Sequence, residues 1–139
     1  ELDEAKIDEI TQFDTKFFPV RRGVFLQHWL RQAGSKARVS LRNGDVMGYG
    51  VIRPCRTGFK IGPLFAESEE VADELFRDLA HVACGQPVFL DTPKPNAGAS
   101  ALVKRYSMNP MFATSRMYTQ QAPQLPLQKI YGVTTFELG

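Results

Sequence analysis

The 139-residue chain is 43% hydrophobic and 23% charged, the size and composition of one globular domain that needs no disulfide or metal to fold. Seventeen Lys and Arg against 15 Asp and Glu leave a net charge of +2, and the short pairs Arg21-Arg22 and Lys104-Arg105 do not make the clustered basic face of a nucleic-acid binder. No apolar run reaches the ~20 residues of a membrane helix, no signal peptide is visible, and Cys55, Cys84, His28 and His81 complete no CxxC pair and no metal spacing.

Residues 3–14 are predicted to form a helix, because Ile7, Ile10 and Phe13 recur at helical spacing and Asp3 can cap it. Pro19 separates it from a second helix over 20–32, where Phe25 and Trp29, and Leu26 and Leu30, pair at i,i+4; Gly34 ends it. Alternation over 37–42 and 46–52 around Asn43-Gly44-Asp45 makes a β-hairpin. A turn at Arg56-Thr57-Gly58 leads to a third antiparallel strand over 59–65, in which Pro63 cannot donate a ladder hydrogen bond and marks a bulge or splay.

Ser68 opens the longest helix, 69–84, with Val71, Ala72, Leu75, Leu79, Val82 and Ala83 on one stripe. Glu69 and Glu70 sit in its first turn, where the helix dipole favours them, and Gly85 stops it. Residues 87–90 read as a buried strand. Residues 96–106 form another helix, with Ala99, Leu102, Val103 and Tyr106 on one face, and 110–118 are strand-like. A Gln- and Pro-rich surface loop over 120–127 precedes a last strand over 129–138. The cysteines are expected as buried thiols in a reducing cytoplasm, with His28 packed beside Trp29 and His81 solvated. Antiparallel strands that pass into a strand–helix–strand crossover make a mixed, mostly antiparallel sheet, so the class is α+β.

Residues 91–96, Asp-Thr-Pro-Lys-Pro-Asn, with Ala99, Leu102, Ser107 and Met108 after them, resemble the N-x-x-A-x-x-L-Y-x-x-x-G-F segment of the GNAT superfamily of N-acetyltransferases. Five stretches, in order, resemble the carboxy-terminal domain of two-domain acetyltransferases. They are Phe18-Pro19-x-x-Arg22-x-x-Phe25-Leu26-x-x-Trp29-Leu30; Ile61-Gly62-Pro63-Leu64-Phe65-Ala66; Leu90-Asp91-x-Pro93-x-x-Asn96; Arg116-Met117-Tyr118; and the closing Tyr131-Gly132-Val133-Thr134-Thr135-Phe136-Glu137-Leu138-Gly139. The resemblance implies a GNAT fold, a parallel pair of strands that splays to admit acetyl-CoA, and one domain over 1–139 excised from a longer tandem chain.

It also implies direct transfer of an acetyl group from acetyl-CoA to an amine, and hence four tasks for the residues. The CoA pyrophosphate is held by a Q/R-x-x-G-x-G/A loop at a helix amino terminus. Here Glu67-Ser68-Glu69-Glu70-Val71-Ala72 aligns with it; Ala72 fits, but Glu67 replaces Gln or Arg and Glu70 replaces a glycine. The amides of Glu69, Glu70, Val71 and Ala72 remain as candidates, against a repulsion of about 1 kcal/mol per close carboxylate–phosphate pair in water-like dielectric. The thioester lies along a strand, so the Leu64 and Phe65 amides are candidates to contact it; Asn96 is a candidate CoA contact or a helix cap. For the base, Glu67 and Asp91 stand at strand ends, beside His28 and His81 as further candidates. The thiolate acid of many members is a Tyr where this chain has Val103, and Tyr106, one turn on, is the substitute. Arg22, Arg53 and Arg116 are candidates to line an acceptor or phosphate pocket. Two functions follow: an acyl-CoA-dependent N-acetyltransferase domain, or a non-catalytic GNAT half that packs on and supports an amino-terminal catalytic domain. A homodimer partner is the alternative to that amino-terminal domain. The altered phosphate loop and Val103 favour the second reading; the strand and Asn96 segments favour the first.

Overall fold

The computed structural model describes residues 2–137. Helix α1, Glu4–Asp14, starts at Asp3, whose carboxylate accepts from the Lys6 amide at 2.8 Å. Helix α2, Gly23–Arg31, starts three residues later than predicted, because the side chain of Arg22 is drawn back onto Asp14. His28 is exposed rather than packed, and His81 is exposed as expected.

Strands β1, Lys36–Arg42, and β2, Asp45–Pro54, form the predicted hairpin around Asn43 and Gly44, both with φ > 0 as its tight turn requires. Strand β3, Phe59–Ala66, runs antiparallel to β2, with the predicted bulge. Gly50 faces Leu64 and Ile52 faces Ile61, so Gly62 and Pro63 together oppose Val51. Ser68 caps α3, Glu69–Val82, and the chain crosses over to β4, Val88–Leu90, which lies parallel to β3. Asn96 caps α4, Ala97–Arg105.

The sheet is sandwiched between two helical layers. Val71, Leu75, Leu79 and Leu102 of α3 and α4 pack on Ile52, Ile61 and Leu64. Ile7, Ile10, Phe13 and Leu26 of α1 and α2 pack on Tyr49, Val51 and Phe65 of the other face.

The carboxy-terminal third departs from the sequence reading. Residues 110–118 are not a strand: Met111, Phe112, Met117 and Tyr118 are exposed, and no backbone–backbone hydrogen bond ties this segment to the sheet among the described residues. Strand composition makes a strand only where an edge offers partners. The last strand is short: a 3-10 turn, Leu127–Lys129, leads into β5, Ile130–Gly132, antiparallel to β3. Residues 133–137 turn away from the ladder, and Leu138 of the predicted strand lies outside the described residues. Cys84 is exposed, at a left-handed position after α3, and Cys55 is partly buried, so the expectation of two buried thiols does not hold.

Candidate functional site

The carboxyl ends of β3 and β4 are where an open sheet with this crossover places its ligand crevice. Their parallel pairing stops at Ile61 and Leu90, and β3 runs on past β4 to Ala66. The opening is filled by the chain itself. Strand β5 pairs Gly132 with Leu64 and Ile130 with Phe65, and the Val133 amide donates to the Asp91 carbonyl at 3.0 Å. A Cβ on Gly132 would stand 2.6 Å from Leu90 Cδ1 and 3.3 Å from Leu64 Cβ, so only glycine passes between these leucines without displacing one. A Cβ on Gly62 would stand 2.6 Å from the carbonyl oxygens of both Val133 and Thr134.

This plug is an integral strand. Ile130 is buried in the core beneath α1 and α2, and Tyr131 in the core beneath α3 and α4. Withdrawing them would expose two large side chains at about 1.5–3 kcal/mol each, besides the hydrogen bond that Asn96 Nδ2 donates to the Ile130 carbonyl at 2.7 Å.

Most of the candidate side chains are engaged within the fold. Leu64 and Phe65 face β5. Glu67 lies between Lys129 and Lys16, the latter at 2.8 Å, and these partners hold its carboxyl below the ordinary value. Asp91 Oδ2 is 2.5 Å from Lys60 Nζ. Asn96 is fully buried and also accepts from the Ala99 amide at 3.0 Å. At the start of α3, the Val71 amide donates to Ser68 Oγ and the Ala72 amide to the Ser68 carbonyl. The exposed Glu70 carboxylate is lowered by hydrogen bonds from Ser68 and from its own backbone, while Glu69 lies over Gly98 in the first turn of α4. The Tyr106 hydroxyl donates to Asp73 Oδ1 at 2.8 Å; burial and this bond to a carboxylate both raise its pKa.

Sequence reasoning missed a buried ionic triad beside the plug. Asp14 takes two hydrogen bonds from Arg22, at 2.8 and 2.9 Å, and one from the Tyr49 hydroxyl at 2.5 Å. Arg22 Nη2 also reaches Thr134 Oγ1 at 3.1 Å. Burial alone lowers the Arg22 pKa, but Asp14 outweighs it and the guanidinium stays charged. Burial first, and then Asp14, push the Tyr49 hydroxyl well above its usual range. Arg22 stood in a quoted motif, but Asp14 read as an ordinary helix end and Tyr49 as one apolar residue in an alternating strand.

Arg22 also lies 4.2 Å from the centre of the Phe18 ring, fixing the loop between α1 and α2. That loop forms one wall of a cleft of about 290 Å³. Phe17, Phe18 and Pro19 face Tyr118, Pro123 and Leu125 across a floor of Phe65, Ile130 and Val133; Phe136, Arg116 and Glu137 complete the lining. Arg116 lines this cleft. Arg22 supports its wall, and Arg53 stacks 5.2 Å from the Trp29 ring centre.

A model of the GNAT acetyltransferase domain matches residues 10–132. The chain belongs to the GNAT acetyltransferase family. It is similar to the holothin acyltransferase of Pseudoalteromonas sp. (strain SANK 73390), 34% identical over 134 residues, which cover 96% of this chain and 46% of that relative. The chain therefore spans about half the length of the curated relative it matches. Its fold is that of a putative acetyltransferase from Pyrococcus horikoshii, with a TM-score of 0.69 at 21% identity over 95% of this chain and 43% of that one. It is also that of the ribosomal-protein-alanine N-acetyltransferase of Brucella melitensis biovar Abortus 2308, with a TM-score of 0.61 at 14% identity, covering 84% and 96%.

Domains of the GNAT family use acetyl-CoA, and the residues of this one do not fit it as they stand. Gly132 and Val133 occupy the space between the diverging strands. The amides of Val71 and Ala72 are already bonded to Ser68, and Glu69 and Glu70 put two carboxylates in the first turn of α3, which opposes phosphate there. Among the described residues no three His, Cys, Asp or Glu side chains gather to hold a metal, and no helix is long and apolar enough to cross a membrane.

Proposed function

We propose that this domain takes part in acyl transfer from an acyl-CoA thioester to an amine as the supporting half of the catalytic unit. It would pack on an amino-terminal GNAT domain that holds the donor, and contribute the ring-lined cleft to the acceptor side. The observation that carries this reading is the closure of the β3–β4 opening by Gly132 and Val133. The length of the relatives, about twice that of this chain, supports a companion domain. Cys55 and Cys84 are free thiols, compatible with a reducing cytoplasm, where we place the protein.

Calorimetry with acetyl-CoA tests the proposal. We expect no saturable heat from this chain, even at millimolar ligand. Micromolar binding would overturn the closed-groove reading and favour the alternative, a domain that acetylates on its own. That second reading rests on the parallel strands diverging past Ile61 and Leu90, and on the amino terminus of α3 standing at their mouth. Binding that appears only after Glu67→Gln with Glu70→Gly would show that charge rather than the plug keeps the donor out.

A further inference from the structure

We propose that the cleft beside β5 takes an apolar α-amino acid, its side chain in the slot and its two charges at the rim; this rests on the acyl-transfer reading above and names the acceptor class. The walls meet the apolar part. Phe18, Tyr118, Pro123, Leu125 and Phe136 border about 290 Å³, the lower end of the volumes that hold small organic ligands. Phe17 and Phe65, each 2% exposed, belong to the core and only close the floor.

The rim meets the charges. Two lining residues are charged, and they are opposite in sign: Arg116 and Glu137. Both are exposed, and they border one cleft without pairing with each other. Among the described residues, no carboxylate oxygen comes within 4.0 Å of the Arg116 guanidinium, and no cationic nitrogen within 4.0 Å of the Glu137 carboxylate. Arg116 Nη1 reaches the Tyr118 hydroxyl at 3.4 Å, which leaves most of the guanidinium donors open. Lys60 and Arg53 act on Glu137 from a distance. Lys60, however, is paired with Asp91 at 2.5 Å, and Arg53 lies 5.2 Å from the Trp29 ring centre.

A ligand with one kind of charge meets half of this rim and is opposed by the other half. An apolar carboxylate brings its charge up to Glu137, and an amine or polyamine brings its charge up to Arg116. An α-amino acid meets both. Its carboxylate fits the guanidinium fork, which binds it through two parallel hydrogen bonds, and its ammonium group faces Glu137. Its α-nitrogen is then the amine of the reaction.

NMR titration of the whole chain with phenylalanine, without any acyl donor, tests the proposal independently of acetyl-CoA binding. Phenylethylamine and 3-phenylpropionate, each lacking one of the two charges, are the comparison probes. We expect saturable shifts at the amides of residues 116–125 and 133–137, with phenylalanine binding about fivefold more tightly than either probe. Arg116→Gln should weaken phenylalanine and 3-phenylpropionate about fivefold and leave phenylethylamine unchanged; Glu137→Gln should weaken phenylalanine and phenylethylamine and leave 3-phenylpropionate unchanged. Both side chains are exposed, so the fold should persist, as circular dichroism would verify, and the three ligands on the unaltered chain decide the matter without either variant. Equal affinity for the three, preference for a singly charged probe, a variant that weakens all three alike, or no saturation at millimolar phenylalanine would overturn the assignment.

Discussion

At the scale of single residues, the Asp14 carboxylate has the most to lose. It is 1% exposed and serves Arg22, whose side chain is 8% exposed, and Tyr49, which is fully buried. Asp14→Ala leaves a buried guanidinium and a buried hydroxyl without their acceptor, so we expect a loss of about 3–5 kcal/mol by urea denaturation. Tyr49→Phe removes one charge-assisted hydrogen bond and keeps the ring, so a loss of about 1.5–3 kcal/mol is expected. A smaller loss for Asp14→Ala than for Tyr49→Phe would contradict this ordering. Two glycines around the plug also differ in kind. The Cβ of Gly132→Ala meets the mobile end of Leu90, whereas that of Gly62→Ala meets two backbone carbonyl oxygens that cannot move aside. Gly62→Ala should be the more destabilising, with Gly132→Ala confined to about 1–3 kcal/mol of overpacking; melting of the two variants side by side decides it.

At the scale of elements, β5 owes its place to partners spread over the chain: Asn96, Asp91, Leu64, Phe65 and, through Lys129, Glu67. Hydrogen exchange should therefore find the amides of 130–133 protected, and Gly62→Ala should abolish that protection before it affects β1 and β2. The Glu67 contacts carry a pH dependence. Its carboxyl is held below its ordinary value of 4.5, first by Lys129 and then by Lys16, so the folded chain binds this proton less readily than the unfolded one. The resulting stability is present above pH 4.5 and is lost as pH falls through the lower folded value. Glu67→Gln should flatten the fall of Tm below that point while lowering Tm slightly at neutral pH. A decline of unchanged slope would mean that other carboxylates set it.

At the scale of the whole molecule, the large apolar residues near the amino terminus are mostly covered by the chain's own core. Phe13, Phe17 and Leu30 are buried and Phe18, Phe25 and Trp29 half-buried. The exposed apolar surface lies instead at Val20, Val24, Met111, Phe112 and Met117, the last 88% exposed. Surface of this kind favours association. We expect this chain to self-associate with rising concentration in light scattering. Val24→Lys with Met117→Lys should reduce that association while changing stability by no more than about 0.5 kcal/mol per site. Unchanged association would place the contact elsewhere.

The helices, the hairpin, the third strand and the proline bulge were legible in the sequence because each is decided within a few residues. Asp3, Ser68 and Asn96 cap the turns that follow them, the Asn43-Gly44 pair makes its own turn, and Pro63 lacks the same donor in any context. The order of five short motifs also carried the resemblance to the family. Only the tertiary structure decided the carboxy-terminal third and the state of the site. Residues 110–118 carry the composition of a strand without an edge to join, while Ile130–Gly132 found one on β3. Asp14 met Tyr49, and Glu67 met Lys129, across 35 and 62 positions of chain. Pairing of this range has no local signature, since it depends on which elements the packed cores bring together.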